Sequence, residues 1–129
     1  MKMNVFEGIV TAFKRYAEFR GRSSRMEFFP IYIMSHLLMA LYFLFNNFIE
    51  GFDFIALIIL FLLIGSLIPT LAAQVRRLHD IDKEGSSIYV LIIPVVGLIT
   101  LIVWFCRPGT VGDNRFGPDP LAPVVPEAG

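Results

Sequence analysis

The chain has 129 residues, enough for one domain, and 56% of them are hydrophobic, with a mean hydropathy of +0.69. A soluble chain this short cannot hide that much apolar surface, so a water-soluble globule is excluded and lipid is its natural solvent. The net charge of zero conceals a positive N-terminal region, in which Lys2, Lys14, Arg15, Arg20, Arg22 and Arg25 outnumber Glu7, Glu18 and Glu27. These basic residues flank apolar runs instead of forming a soluble basic face, so the expected partner is anionic lipid headgroup and not nucleic acid.

In chain order, residues 4–18 read as an amphipathic helix. Phe6, Ile9, Val10, Phe13, Tyr16 and Ala17 share one face, Thr11, Lys14, Arg15 and Glu18 the other, and Asn4 with Glu7 forms a capping-box pattern. Two readings stay open: a helix lying in the headgroup plane, or one packed on the rest of the protein. No cleavable signal peptide is visible, because acidic residues precede the first long apolar run near Phe28.

Gly21 breaks the first helix, Ser23 or Ser24 can cap the next, and Glu27 suits its positive end. Residues 28–49 then form a first span of about 20 residues, the length that crosses a hydrocarbon core of about 30 Å. Pro30 is tolerated near its start, and His36 lies inside it. Asn46 to Asp53 is a short link with Glu50 and Asp53 and no cation, so the spans on either side must form a hairpin. Residues 54–73 are the second span. Its small residues Gly65, Ser66, Thr70 and Ala73 allow close helix approach, and Pro69 is expected to kink it.

A polar loop, 74–86, carries Val75-Arg76-Arg77-Leu78-His79-Asp80. Residues 87–106 read as a third span, interrupted by Pro94 and Gly97, with Trp104 near its far end and the lone Cys106 a small hydrophobe at its close. Glycine and proline make 107–120 a shaped polar loop, and 122–129 is expected to be disordered.

The expected architecture is an all-α integral membrane protein: one membrane domain over 1–121, three transmembrane helices and an N-terminal amphipathic helix. Six Lys or Arg precede the first span, none lies in the first link and three lie in the second loop, so the N-terminus is expected in the cytoplasm. Three full spans then put the tail outside. The alternative is that Pro94 and Gly97 break the third segment into a re-entrant hairpin, whose backbone must be buried or line water.

Four motifs in order resemble the domain of unknown function 805 family, the small bacterial inner-membrane YhaH-type proteins. They are Phe19-Arg20-Gly21-Arg22-Ser23-Ser24-Arg25-Met26-Glu27-Phe28, then Arg76-Arg77-Leu78-His79-Asp80, then Ile93-Pro94-Val95-Val96-Gly97. The last runs from Pro108-Gly109-Thr110 through Gly112 to Asn114-Arg115-Phe116-Gly117-Pro118-Asp119-Pro120. The likeness covers about residues 5 to 121 and departs at Ser87, Ile88 and Tyr89, where the family usually carries tryptophans. It implies an inner-membrane, multi-pass location and supplies no reaction, ligand or cofactor.

The candidate polar or ligand-binding residues are Arg76, Arg77, His79, Asp80, Asn114, Arg115 and Asp119, with His36 as an intramembrane polar group. Arginine forks take phosphate, so Arg76 and Arg77 suit a lipid headgroup. The favoured reading is ion pairing with Asp80, Glu27 or Asp119 that locks helix ends together. His79, Asp80 and Asp82 form only a weak metal pattern, and no metal or cofactor is expected. Ser86, His79 and Asp80 lack a nucleophile elbow, so no catalytic residue is assigned.

The leading functional expectation is a non-enzymatic membrane protein that associates with lipid, with itself or with a membrane complex. The alternatives are a subunit of an oligomeric small-solute or ion transporter, drawing on His36 and the proline and glycine breaks, and a membrane enzyme acting on lipid or phosphorylated substrate through His79 and Asp80.

Overall fold

The computed structural model describes residues 3–123, so the expected disorder over 122–129 lies outside the described residues from 124 onward. Among the described residues the chain is all helical, apart from an isolated bridge between Asn114 and Gly117. The helices are α1 (Val5–Lys14), α2 (Arg25–Phe48), α3 (Asp53–Asp80), a 3-10 helix (Gly85–Ile92) and α4 (Val96–Cys106). The chain forms two compact units, one of residues up to Phe19 with Met26–Gln74, the other of Arg20–Arg25 with Val75 onward.

In the first unit α1 opens on the expected capping box. Asn4 Oδ1 accepts from the Glu7 amide at 2.8 Å, and Glu7 Oε2 accepts from the Asn4 amide at 2.9 Å. The helix ends at Lys14, short of the expected 18, and Arg15 pairs with Glu18 at 2.8 Å and with Glu27 at 3.0 Å. Gly8 and Ala12 form its buried face, while Phe6 and Phe13 stay exposed. Pro30 supplies no amide to the Met26 carbonyl one turn earlier. Gly8 sits against that carbonyl so closely that a Cβ would come within 2.2 Å of it.

Helices α2 and α3 are long and apolar enough to cross a membrane, at about 36 and 42 Å against a core of about 30 Å. They form the expected hairpin. Small side chains let them meet, and the Ser35 hydroxyl bonds to Thr70 at 2.6 Å and to Ser66 at 3.3 Å. Helix α3 runs unbroken through Pro69, which is fully buried.

In the second unit α3 ends in a Schellman motif. Asp82 takes a left-handed conformation (φ 60°), Lys83 N–H reaches Leu78 O at 2.9 Å and Asp82 N–H reaches His79 O at 3.0 Å. The expected third span over 87–106 is not one helix. It is split between the 3-10 helix and the 11-residue α4. Pro94 starts the break, and Val95 (φ 62°, ψ −64°) centres a γ-turn closed by Val96 N–H on Pro94 O at 2.7 Å. The two legs then fold against each other, with Gly97 packed so tightly that a Cβ would lie 2.0 Å from Val90 O. Each leg rises about 16 Å, half the thickness of a hydrocarbon core.

Candidate functional site

The polar residues singled out in the sequence come together in the second unit, around the last turn of α3. Arg76, Arg77 and Asp80 are almost completely buried there. A buried guanidinium needs a full set of acceptors, and the returning chain provides them. Arg77 Nε donates to Phe105 O at 3.0 Å, and its two terminal nitrogens reach Asp80 Oδ2 and Arg107 O. These carbonyls sit at the C-terminal end of α4, which carries no basic residue in its last turn, so Arg77 supplies the positive charge that this end favours.

Arg22, which the sequence reading did not single out, is the hub. Its Nε and Nη2 lie 3.0 and 2.9 Å from Asp80 Oδ1, and its terminal nitrogens donate to Thr110 O at 2.5 Å and Gly112 O at 2.6 Å. Asp119 lies 4.0 Å away. The available signal was its place in the Arg-Gly-Arg-Ser-Ser-Arg run, beside a glycine that permits a turn (Gly21, φ 80°). Arg76 Nε donates to Ser23 Oγ at 2.8 Å, so Ser23 is a partner of the motif.

The tail completes the cluster. Thr110 donates to Asp80 O through both its amide (2.7 Å) and its hydroxyl (3.1 Å). Gly109 has no side chain because the Asp80 carboxylate occupies the space; a Cβ there would come within 2.2 Å of Oδ2. Asn114 Nδ2 donates to His79 O at 2.9 Å, and the His79 ring stacks flat on Phe116 at 4.0 Å. Arg115 pairs with Asp82 at 3.2 Å and Glu84 at 3.5 Å on the exposed rim. Asp119 accepts from the Leu121 and Gly112 amides, each at 2.9 Å, and these bonds, with Arg22, hold its carboxyl below the usual carboxylate range.

Of the expected partners for the motif arginines, Asp80 pairs with Arg77, Asp119 faces Arg22, and Glu27 pairs with Arg15. His79 Nδ1 donates to Gly21 O at 2.9 Å, Ser86 points at Glu84 and Asp80 is held by two arginines, so the three do not form a relay. Among the described residues no three His, Cys, Asp or Glu side chains gather into a metal-binding group. Cys106 is exposed at the end of α4, and its carbonyl accepts from Arg25 at 3.4 Å. His36 belongs to the first unit. A hollow of about 230 Å³ beside the cluster is bordered by Arg25, Arg77, Thr110 and Asp119.

Residues 16–118 match the family described as Protein of unknown function (DUF805). The chain belongs to the DUF805 family. It is 34% identical over 114 residues to the inner membrane protein YhaI of Escherichia coli (strain K12), covering 86% of this chain and 92% of that one. It is also 34% identical over 111 residues to the inner membrane protein YhaH of the same strain, covering 83% and 90%. No solved structure matches it. With two helices long enough to cross a bilayer, these relatives place this DUF805 protein in an inner membrane.

Proposed function

We propose that this DUF805 protein is a non-enzymatic integral membrane protein that crosses the bilayer twice, dips a re-entrant hairpin into it over 85–106, and associates with anionic lipid headgroups at its cytoplasmic face. The observation that carries the reading is the tie between α3 and the start of the tail. Arg77 binds the carbonyls of Phe105 and Arg107, and Thr110 binds Asp80 O. A hairpin whose legs are each about 16 Å long returns to the side it left. With two spans, all the Lys and Arg residues fall on one side, six up to Arg25 and five from Arg76 onward, with none between. That is the distribution the positive-inside rule rewards, and it puts both chain ends in the cytoplasm. Lys14, Arg20, Arg25, Arg107 and Arg115 are exposed and face anionic headgroups in this topology.

The topology is tested by placing single cysteines at Thr110 and Glu84 in a Cys106→Ala background. Neither is expected to react with an impermeant reagent in intact cells, and both after lysis. Labelling at 110 but not 84 in intact cells overturns the two-span topology. Headgroup association is tested in vesicles. Anionic lipid is expected to raise the unfolding temperature over zwitterionic lipid alone, with the gain shrinking as salt rises. Equal temperatures overturn it.

A further inference from the structure

The first unit holds a second site, a half-enclosed groove of about 410 Å³ between α2 and α3. Its size falls in the range of about 300–1,000 Å³ typical of small-molecule sites, and its lining has their composition, mostly apolar with a few placed polar groups. Met39, Leu63, Leu67 and Leu71 make the apolar walls. These long side chains hold a helix backbone at a distance, unlike the small residues that line helix contacts in membranes. The walls therefore suit a flexible acyl or isoprenoid chain better than a second copy of this protein.

The polar groups of the groove divide into those already engaged and those left over. Of the lining hydroxyls, Ser35 donates to the neighbouring Ser66 at 3.3 Å and Thr70 then donates to Ser35 at 2.6 Å, so both are satisfied within the protein. His36 and Gln74 are different. His36 Nδ1 lies 2.8 Å from Tyr32 O, and a carbonyl only accepts, so Nδ1 carries the proton. In the tautomer protonated at Nδ1 alone, Nε2 presents a bare lone pair, and it has no partner among the described residues. The Gln74 carboxamide, also on the groove, makes no hydrogen bond among them either. In hydrocarbon such groups call for a partner.

We propose that this groove binds a long-chain lipid alcohol, with its chain along Leu63, Leu67 and Leu71 and its hydroxyl donating to His36 Nε2. A hydroxyl supplies the donor that the lone pair requires. A carboxylate or phosphate would face that lone pair with negative charge, and an ester brings no donor. The inference rests on α2 and α3 lying in the bilayer and is independent of headgroup charge.

The test uses the full chain in purely zwitterionic vesicles, with a diazirine-bearing C16 alcohol and its methyl ether as paired photoprobes. The alcohol is expected to label the groove walls, and His36→Leu is expected to weaken its half-saturation by about 3–10-fold, the worth of one neutral hydrogen bond, with no effect on the ether. Leu67→Trp fills the groove without touching the polar pair and is expected to exclude the alcohol. Equal labelling by alcohol and ether in the unaltered protein, or alcohol labelling that survives Leu67→Trp, overturns the site. Because the vesicles carry no anionic lipid, neither result depends on the headgroup reading.

Discussion

Arg22 and Asp80 meet 2.9 Å apart, 58 residues distant in the chain, with side chains only 1% and 4% exposed. A pair this deeply buried stands only because its remaining donors and acceptors are matched. The carbonyls of Thr110 and Gly112 take Arg22's other protons, and Arg77 takes Asp80's second oxygen. The pair is thus the point where the segment before α2, the end of α3 and the tail are joined.

Removing one partner leaves the other charged and buried. Arg22→Ala is expected to destabilise the protein by about 3–5 kcal/mol, with Asp80→Ala equally severe. The exposed pair Arg115–Asp82 provides the contrast, since Arg115→Ala is expected to cost at most about 1 kcal/mol. Thermal unfolding in detergent measures all three, and an Arg22→Ala protein as stable as Arg115→Ala would contradict the pairing.

Arg77→Ala is expected to lower the folded yield more than Lys83→Ala. The first strips donors from Asp80 and from two backbone carbonyls, at about 1–3 kcal/mol for each buried group left unmatched. The second loses only a cation over the Trp104 ring, 4.3 Å from its centre, worth about 0.5–1 kcal/mol. Monodisperse yield from equal cell mass compares them, and equal yields refute the argument.

Two glycines in apolar helices should respond with opposite sign. At Gly97 a Cβ would lie 2.0 Å from the backbone oxygen of Val90, so Gly97→Ala must force the hairpin legs apart, at about 1–3 kcal/mol or more. At Gly65 a Cβ meets nothing within 4 Å, so Gly65→Ala is expected to be neutral or to stabilise by about 0.5–1 kcal/mol through helix propensity. A Gly97→Ala protein that unfolds no earlier than Gly65→Ala would show that the legs are not packed this way.

Asp119 sets an acid limit on the tail. Its carboxyl is held below the usual range by the Leu121 and Gly112 amides and by Arg22. The stability it lends is therefore present above the unfolded pKa of about 3.9 and lost as pH falls through the lower folded value. Protease resistance of the 107–121 segment is expected to drop as pH falls below about 4. Asp119→Asn should lower that resistance at neutral pH and flatten its acid dependence. A variant with the same pH profile as the parent would remove Asp119 from this role.

Local features could be read directly from the residues. Asn4 and Glu7 are three apart and cap α1 as their chemistry requires, and the apolar runs around 28–49 and 54–73 are long enough for the two long helices. The rim role of Arg115 and the central role of Arg22 could not be told apart, because both are arginines beside glycine-containing turns. Only the course of the chain buries Arg22 (4% exposed) and leaves Arg115 in solvent.

The sequence by itself determined that this is a helical membrane protein, because the length of an apolar run is a property of the chain alone. The tertiary structure decided what happens over 85–106. An apolar run of that length satisfies hydropathy equally well whether it forms one long helix or two short legs packed on each other. The choice turned on the γ-turn at Val95, the close contact of Gly97 with Val90, and the carbonyls of Phe105 and Arg107 on Arg77. Those are contacts between residues far apart in the chain, and no periodicity within a single segment encodes them.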